Sequence, residues 1–313
     1  MRVFSGHTVI LAYHRIARVT QDPHLLCVDP DVFADQIDHL RRHVEIVPLA
    51  GLKQRSSRQR VVLTFDDGYA DNAGVAKSIL DGMGVPATFF VTAGMVGAER
   101  GFWWDRLEAL VLSSSLDREY LEVELDGRRA TLDVRSDQAR LRAHGTLHAR
   151  LRQLPVREIE RLLDDLMNEL NTPTGDRETH RVMSEQELLS LSTSDLFEVG
   201  AHTVSHPLLS AQSLEEQRRE ISDSRSILEE LTGLRVRAFS YPFGGRDAFS
   251  RATIGLVEQA GFIFACTGLS GRVSRRLPLL RFPLLRLPRN FVRNWHKAEF
   301  ANWLSRCFAR ELQ

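Results

Sequence analysis

The stretch that most constrains this chain is Val61-Val62-Leu63-Thr64-Phe65-Asp66-Asp67-Gly68-Tyr69. Its apolar residues and β-branched threonine read as a short buried strand. The strand runs into two adjacent carboxylates and Gly68, where the chain reverses. Neighbouring strand residues face opposite sides, but where a strand end turns into a loop both acids can enter one pocket. Two acids there are costly unless a cation or a proton partner meets them. Alone, the pair reads more readily as a solvated Asp-Asp-Gly turn. A second stretch far downstream reverses that reading.

The surrounding sequence alternates strands and helices. Thr8 to Tyr13 reads as a first buried strand ending at His14-Arg15, and 16–30 as loop. Asp29-Pro30 caps a helix over 31–43, with Phe33, Ile37 and Leu40 at helical spacing. Val44 to Val47 is a short strand, and Lys53 to Arg60 a solvated basic connection. Asp71 to Gly84 reads as a helix and Val85 to Val91 as the next strand. Strand–helix–strand with continuous apolar strands predicts a parallel sheet covered by helices.

The alternation breaks at about 100–182, read as an insertion. Phe102-Trp103-Trp104-Asp105 opens a helix, an alternating pair of segments flanks an Asp126-Gly127 hairpin turn, and a leucine-rich run forms two helices split near Pro155. Alternation then resumes. Ser184 and Glu187 have capping-box spacing, and Phe197 to Gly200 is a strand. Ser213 to Leu231 is a helix, Val236 to Phe239 a strand, 247–260 a helix and Phe262 to Cys266 a strand. The tail 290–310 ends in a helix carrying Phe300, Leu304 and Phe308.

His202 and His206 are four residues apart, a spacing that puts both imidazoles on one side of a turn. With Asp67 they make a two-histidine, one-carboxylate metal site with open positions. Asp66 can then take the proton of an attacking water. The Pro242-Phe243-Gly244 turn brings a backbone N–H toward the developing oxyanion.

Composition removes other classes. Lys+Arg and Asp+Glu both number 41, so no charge excess points to nucleic acid or an anionic membrane. Cys27, Cys266 and Cys307 lack CxxC spacing, which suggests a reducing compartment. The N-terminus reads as a strand, not a signal peptide, and no apolar run is long enough to span a bilayer. The expectation is a soluble cytoplasmic protein without a transmembrane segment.

Thr64-Phe65-Asp66-Asp67-Gly68-Tyr69, His202-Thr203-Val204-Ser205-His206 and Tyr241-Pro242-Phe243-Gly244, in that order, resemble the polysaccharide deacetylases of the NodB-homology type, carbohydrate esterase family 4. Tyr13-His14-Arg15 and the Phe33-to-Leu40 helix look like one branch of it, which includes enzymes acting on surface polysaccharides. The resemblance covers about 1–95 and 183–290. It implies an α/β fold, a distorted (β/α)7-type barrel over 1–290 with a mixed α/β insertion, and 291–313 as a C-terminal helix packing on the barrel. It also implies Asp66 as catalytic base, Asp67, His202 and His206 on a divalent metal, usually zinc, and an oxyanion and substrate segment at Tyr241, Pro242, Phe243 and Gly244. The implied reaction removes an N-acetyl group from an amino sugar of a surface polysaccharide, glycan or precursor, as in exopolysaccharide biosynthesis. The alternatives are a deformylase or deacetylase of a lipid- or nucleotide-linked sugar, or a non-catalytic sugar-binding barrel.

Two positions depart from the family. Ser240 stands where the motif often begins with an arginine that orients the base. The segment before Arg289 lacks the late Leu-x-His whose imidazole protonates the leaving amine. His14 is the candidate for that role and His296 a weaker one. Arg286 or Arg289 could replace the missing orienting charge, but the reading favoured for each is an ordinary surface arginine.

Overall fold

The computed structural model describes residues 6–54, 56–113, 116, 118–125, 128–170, 177–273 and 282–309. In chain order, β1 (Thr8–Tyr13) is followed by β2 (Arg15–Ile16), β3 (Cys27–Val28), α1 (Pro30–His43), β4 (Glu45–Ile46) and β5 (Arg60–Phe65). Next come α2 (Lys77–Met83), β6 (Ala87–Val91), α3 (Trp103–Val111), β7 (Tyr120–Leu125), β8 (Arg128–Asp133), α4 (Asp137–Leu151) and α5 (Val156–Glu169). The last elements are α6 (Glu185–Ser192), β9 (Phe197–Ala201), α7 (Leu214–Thr232), β10 (Ala238–Ser240), α8 (Arg251–Gln259), β11 (Phe264–Cys266), β12 (Asn290–Phe291) and α9 (Lys297–Ala309).

The main sheet runs β11-β10-β9-β6-β5-β1-β12, with β4 also on β5. All its strand pairings are parallel. Leu287 pairs with Cys266 on one edge strand, and Asn290 and Phe291 pair with β1 on the other side. The segment 287–291 therefore bridges the two edges of a curled half-barrel, the distorted (β/α) barrel expected from the sequence.

Period-two alternation sorts the strand side chains into two cores. Val9, Leu11, Tyr13, Val61, Leu63, Phe65, Phe89 and Val91 pack outward with Phe33, Ile37 and Leu40 of α1. Ile10, Val62, Phe90, Ala238, Phe264 and Cys266 fill the bore. Burial on both faces is why these strands read as unbroken apolar runs.

Local chemistry sets the helix ends. The Asp29 side chain accepts the Asp31 N–H, with Pro30 at the first helical position. Ser184 and Glu187 close a reciprocal capping box on α6. The helix expected from Asp71 begins instead as a wide π-turn over Asn72–Ala76 before α2.

The chain divides into two compact units, Met1–Gly97 with Val182–Gln313, and Ala98–Arg181. Within the second, α3, α4 and α5 bury Trp103, Leu107, Leu147, Leu151, Ile159 and Leu163, and β7 pairs antiparallel with β8. The Asp126-Gly127 turn lies outside the described residues. The expected loop at 16–30 is partly ordered by pairing, since Cys27 and Val28 of β3 pair with Arg15 and Ile16 of β2. In the tail, β12 joins the sheet ahead of the final helix. Strands of two residues are too short to show a period. No described helix is long and apolar enough to cross a membrane.

Candidate metal centre and active site

β5 delivers the acids as its sequence requires. All six of its residues are buried, and the Asp66 N–H still donates to Tyr13 at the end of the neighbouring strand. Asp67 then turns into the left-handed region at φ 75°, a conformation that costs about 1–3 kcal/mol in a non-glycine residue. Gly68 follows at φ 96°, where a Cβ would meet Val91 at 3.0 Å. The Thr92 N–H donates to the Asp67 carbonyl and the Met183 N–H to that of Gly68, which holds the turn in place.

The second stretch leaves β9 as a tight loop. Thr203 and His206 also adopt left-handed backbone, at φ 65° and 62°. His202 and His206 stand with ring centroids 4.7 Å apart. Their Nε2 atoms lie 3.6 and 3.5 Å from Asp67 Oδ1. Ligands bound at about 2.0–2.2 Å around a tetrahedral ion stand about 3.3–3.6 Å apart, so the donor set fits a small divalent cation. The Ser240 carbonyl, 2.8 Å from His202 Nδ1, can only accept. Nδ1 therefore carries the proton and Nε2 offers its lone pair toward Asp67. Burial lowers both imidazoles from their ordinary value, His206 well below it, which keeps them in the neutral, ligating form.

Asp66 has a partner that sequence reasoning set aside. Arg289, read as a surface residue, is 1% exposed. Its Nη1 and Nη2 donate to Asp66 Oδ1 and Oδ2, both at 2.6 Å. Nη2 also donates to Ser240 Oγ at 2.8 Å, and Nε to the Thr267 carbonyl at 3.1 Å. Burial alone would raise the Asp66 carboxyl, but the guanidinium overrides it and holds Asp66 well below the ordinary carboxylate range. The physical reason for the correction is topological. The segment that bridges the sheet edges carries Arg289 into the bore, where only a paired charge is tolerated. Ser240 leaves room for it. Arg286, by contrast, is exposed, as read.

His14 lies at the end of β1 with its ring stacked on Phe291, centroids 5.5 Å apart. Burial pushes its imidazole down to about 4, against the upward pull of Asp66. His296 is exposed, just ahead of α9. In the Tyr241-Pro242-Phe243-Gly244 segment, the Tyr241 hydroxyl donates to the Leu285 carbonyl in the core. Phe243 is left-handed at φ 60°, its ring 5.0 Å from that of His206. The Gly244 N–H donates to the Pro242 carbonyl; Phe243 keeps the oxyanion role only as what the family resemblance implies.

A second group of buried ligand-type side chains occurs in the Ala98–Arg181 unit, at Asp105, Glu108 and His180. It already contains a cation. Arg177 Nη1 donates to Glu108 Oε1 at 2.6 Å, and Nη2 to the Asp105 carbonyl at 2.9 Å.

Comparison with known proteins shows the family. The family model for polysaccharide deacetylase matches residues 53–265, a range that holds Asp66, Asp67, His202, His206 and the 241–244 turn but neither His14 nor Arg289. The peptidoglycan-N-acetylmuramic acid deacetylase PdaC of Bacillus subtilis is 37% identical over 65 residues, 21% of this chain and 14% of the relative. The chain thus spans about a seventh of that relative's length. Among solved structures, the Streptococcus pyogenes deacetylase PplD superposes with a TM-score of 0.60 at 17% identity, over 97% of this chain and 99% of the other. IcaB from Ammonifex degensii superposes with a TM-score of 0.58 at 18% identity, over 96% of each chain. These two likenesses establish the fold.

Proposed function

Because this chain belongs to the polysaccharide deacetylase family, we propose that it is a metal-dependent hydrolase that removes the N-acetyl group from an amino sugar of a surface polysaccharide, a glycan or its precursor. One observation carries the reading: Asp67, His202 and His206 bring their ligand atoms within 4.8 Å of one another, directly beside a second, ionised carboxylate. The name of PdaC supports an N-acetylated glycan as the substrate class.

Asp67, His202 and His206 would hold the cation, with two nitrogen donors favouring zinc over magnesium or calcium. A cation there supplies Lewis acidity toward the acyl carbonyl and toward water. Asp66 accepts a proton as the water oxygen bonds to the acetyl carbon. Arg289 keeps Asp66 ionised and fixes the plane of its carboxylate. The Phe243 N–H faces the developing oxyanion. The carbon–nitrogen bond then breaks, the amine takes a proton, and acetate and a free amino sugar leave. In this reading the amine takes the proton that Asp66 received, and His14, stacked on Phe291 at the end of β1, is the candidate to relay it.

The absent orienting arginine and the absent late histidine both favour a non-catalytic barrel, and the Arg289 guanidinium, just ahead of β12, answers the first of them. Chelator-stripped protein is expected to lose acetate release from N-acetylglucosamine oligomers and regain it with zinc. The same assay on lipid-linked and nucleotide-linked substrates ranks the carriers. Fully zinc-loaded protein that releases acetate from none of them would refute the proposal.

A further inference from the structure

The loop that carries both imidazoles contains two left-handed non-glycine residues and no regular secondary structure. Such a loop keeps its shape only where its surroundings over-determine it. Its backbone contacts fall into three sets. Toward the sheet, the Ala93 and Gly94 N–H groups donate to the carbonyls of Thr203 and Val204, both at 2.9 Å. Gly94 is bare for this approach, since a Cβ would meet the Val204 carbonyl oxygen at 2.8 Å. Internally, the His206 N–H donates to Thr203 Oγ1 at 3.0 Å. The third set comes from one side chain on α7. Glu220 Oε2 accepts the N–H groups of Val204 at 2.8 Å and Ser205 at 2.9 Å, and Oε1 accepts the Ser205 hydroxyl at 2.6 Å.

We propose that Glu220 is a positioning residue for the metal centre: its carboxylate fixes the Thr203–Ser205 backbone and thereby sets the spacing of His202 and His206. This rests on the reading of those histidines as metal ligands. Residues behind the ligands that orient them typically change metal affinity by about 10–100-fold when removed. The role is one of hydrogen-bond shape. A glutamine at 220 can place its carbonyl oxygen where Oε2 accepts both amides, and its NH2 can donate to the Ser205 hydroxyl, which accepts as well as donates. An alanine can do neither.

The test compares wild type, Glu220→Ala and Glu220→Gln by zinc titration against a competing chelator, and by hydrogen exchange at the Val204 and Ser205 amides of the metal-free protein. Glu220→Ala is expected to bind zinc about 10–100-fold more weakly and to lose protection at both amides, while Glu220→Gln stays near wild type in both. Ser205→Ala removes only the hydroxyl contact and keeps the test open if Glu220→Ala fails to fold. It is expected to weaken zinc binding in the same direction, by less. Wild-type zinc affinity in a folded Glu220→Ala, or failure of Glu220→Gln to rescue, overturns the assignment while leaving the metal centre intact. No zinc uptake by the wild type overturns the metal centre and the assignment together.

Discussion

Two buried groups in this molecule carry nearly the same side chains but are compensated differently. Asp67 with His202 and His206, and Asp105 and Glu108 with His180, each gather ligand-type atoms within 4.8 Å. In the second group an arginine already lies on the carboxylate, with Arg177 at 2.6 Å from Glu108. In the first, the arginine lies one residue away, on Asp66. That displacement separates the roles. Arg289 compensates Asp66, and burial favours neutral imidazoles facing Asp67, with the His202 lone pair presented toward it. Residue type and spacing alone do not mark a cation site. What marks it is where the protein's own cation has been placed.

The largest test strikes the chemistry of the first group without touching its ligands. Asp66→Asn is expected to lower kcat by about 10²–10⁴-fold, the range for a general base, with zinc content unchanged by elemental analysis. Unchanged turnover would remove Asp66 from the reaction. Next in size is Arg289→Met, which leaves the Asp66 carboxylate buried and uncompensated, at an expected loss of about 3–5 kcal/mol in urea unfolding. The sign with pH follows from linkage. Asp66 is held below its unfolded value, so the pair stabilises the fold above pH about 4 and loses that contribution only as pH falls further. Without Arg289 burial raises the carboxyl above its unfolded value, so the sign inverts: the variant should lose stability as pH rises above about 4, where the wild type keeps it.

In the second group, Glu108→Ala is expected to cost about 1–3 kcal/mol as its buried contact to Arg177 is lost, with acetate release per folded molecule unchanged. A loss of turnover would erase the distinction between the groups. The smallest effect concerns His202 and His206. Both sit below their ordinary value in the fold, so below pH about 6.5 the unfolded chain binds more protons. Metal-free protein should lose melting temperature as pH falls from 7 toward 5, and zinc should offset much of that loss by binding only the folded state.

How much of this was legible depended on how local each signal was. The β5 strand with its two acids, the histidine pair and the capping boxes are contained in a few neighbouring residues, so the sequence shows them directly. Arg289 was legible only as one of two candidates for the missing orienting charge, with the surface reading favoured for both, because it and Asp66 are 223 positions apart and meet only through the closure of the sheet by a two-residue strand. Two signals did point to it. Ser240 left Asp66 without a counter-ion, and Arg289 is embedded in Leu287-Pro288-Arg289-Asn290-Phe291-Val292, an apolar setting in which an arginine has to be paired. Glu220 carried no such mark. It lies on a helix rich in acids and arginines, and only the fold distinguishes it from its exposed neighbours.

The central claim is that the first group holds a metal and the second does not. Zinc bound per folded chain, measured by elemental analysis after dialysis, tests it most directly in wild type, His206→Ala and His180→Ala. One zinc is expected in the wild type, with loss of that zinc in His206→Ala and its retention in His180→Ala. A wild type without zinc, or a zinc that survives His206→Ala and disappears in His180→Ala, would contradict it.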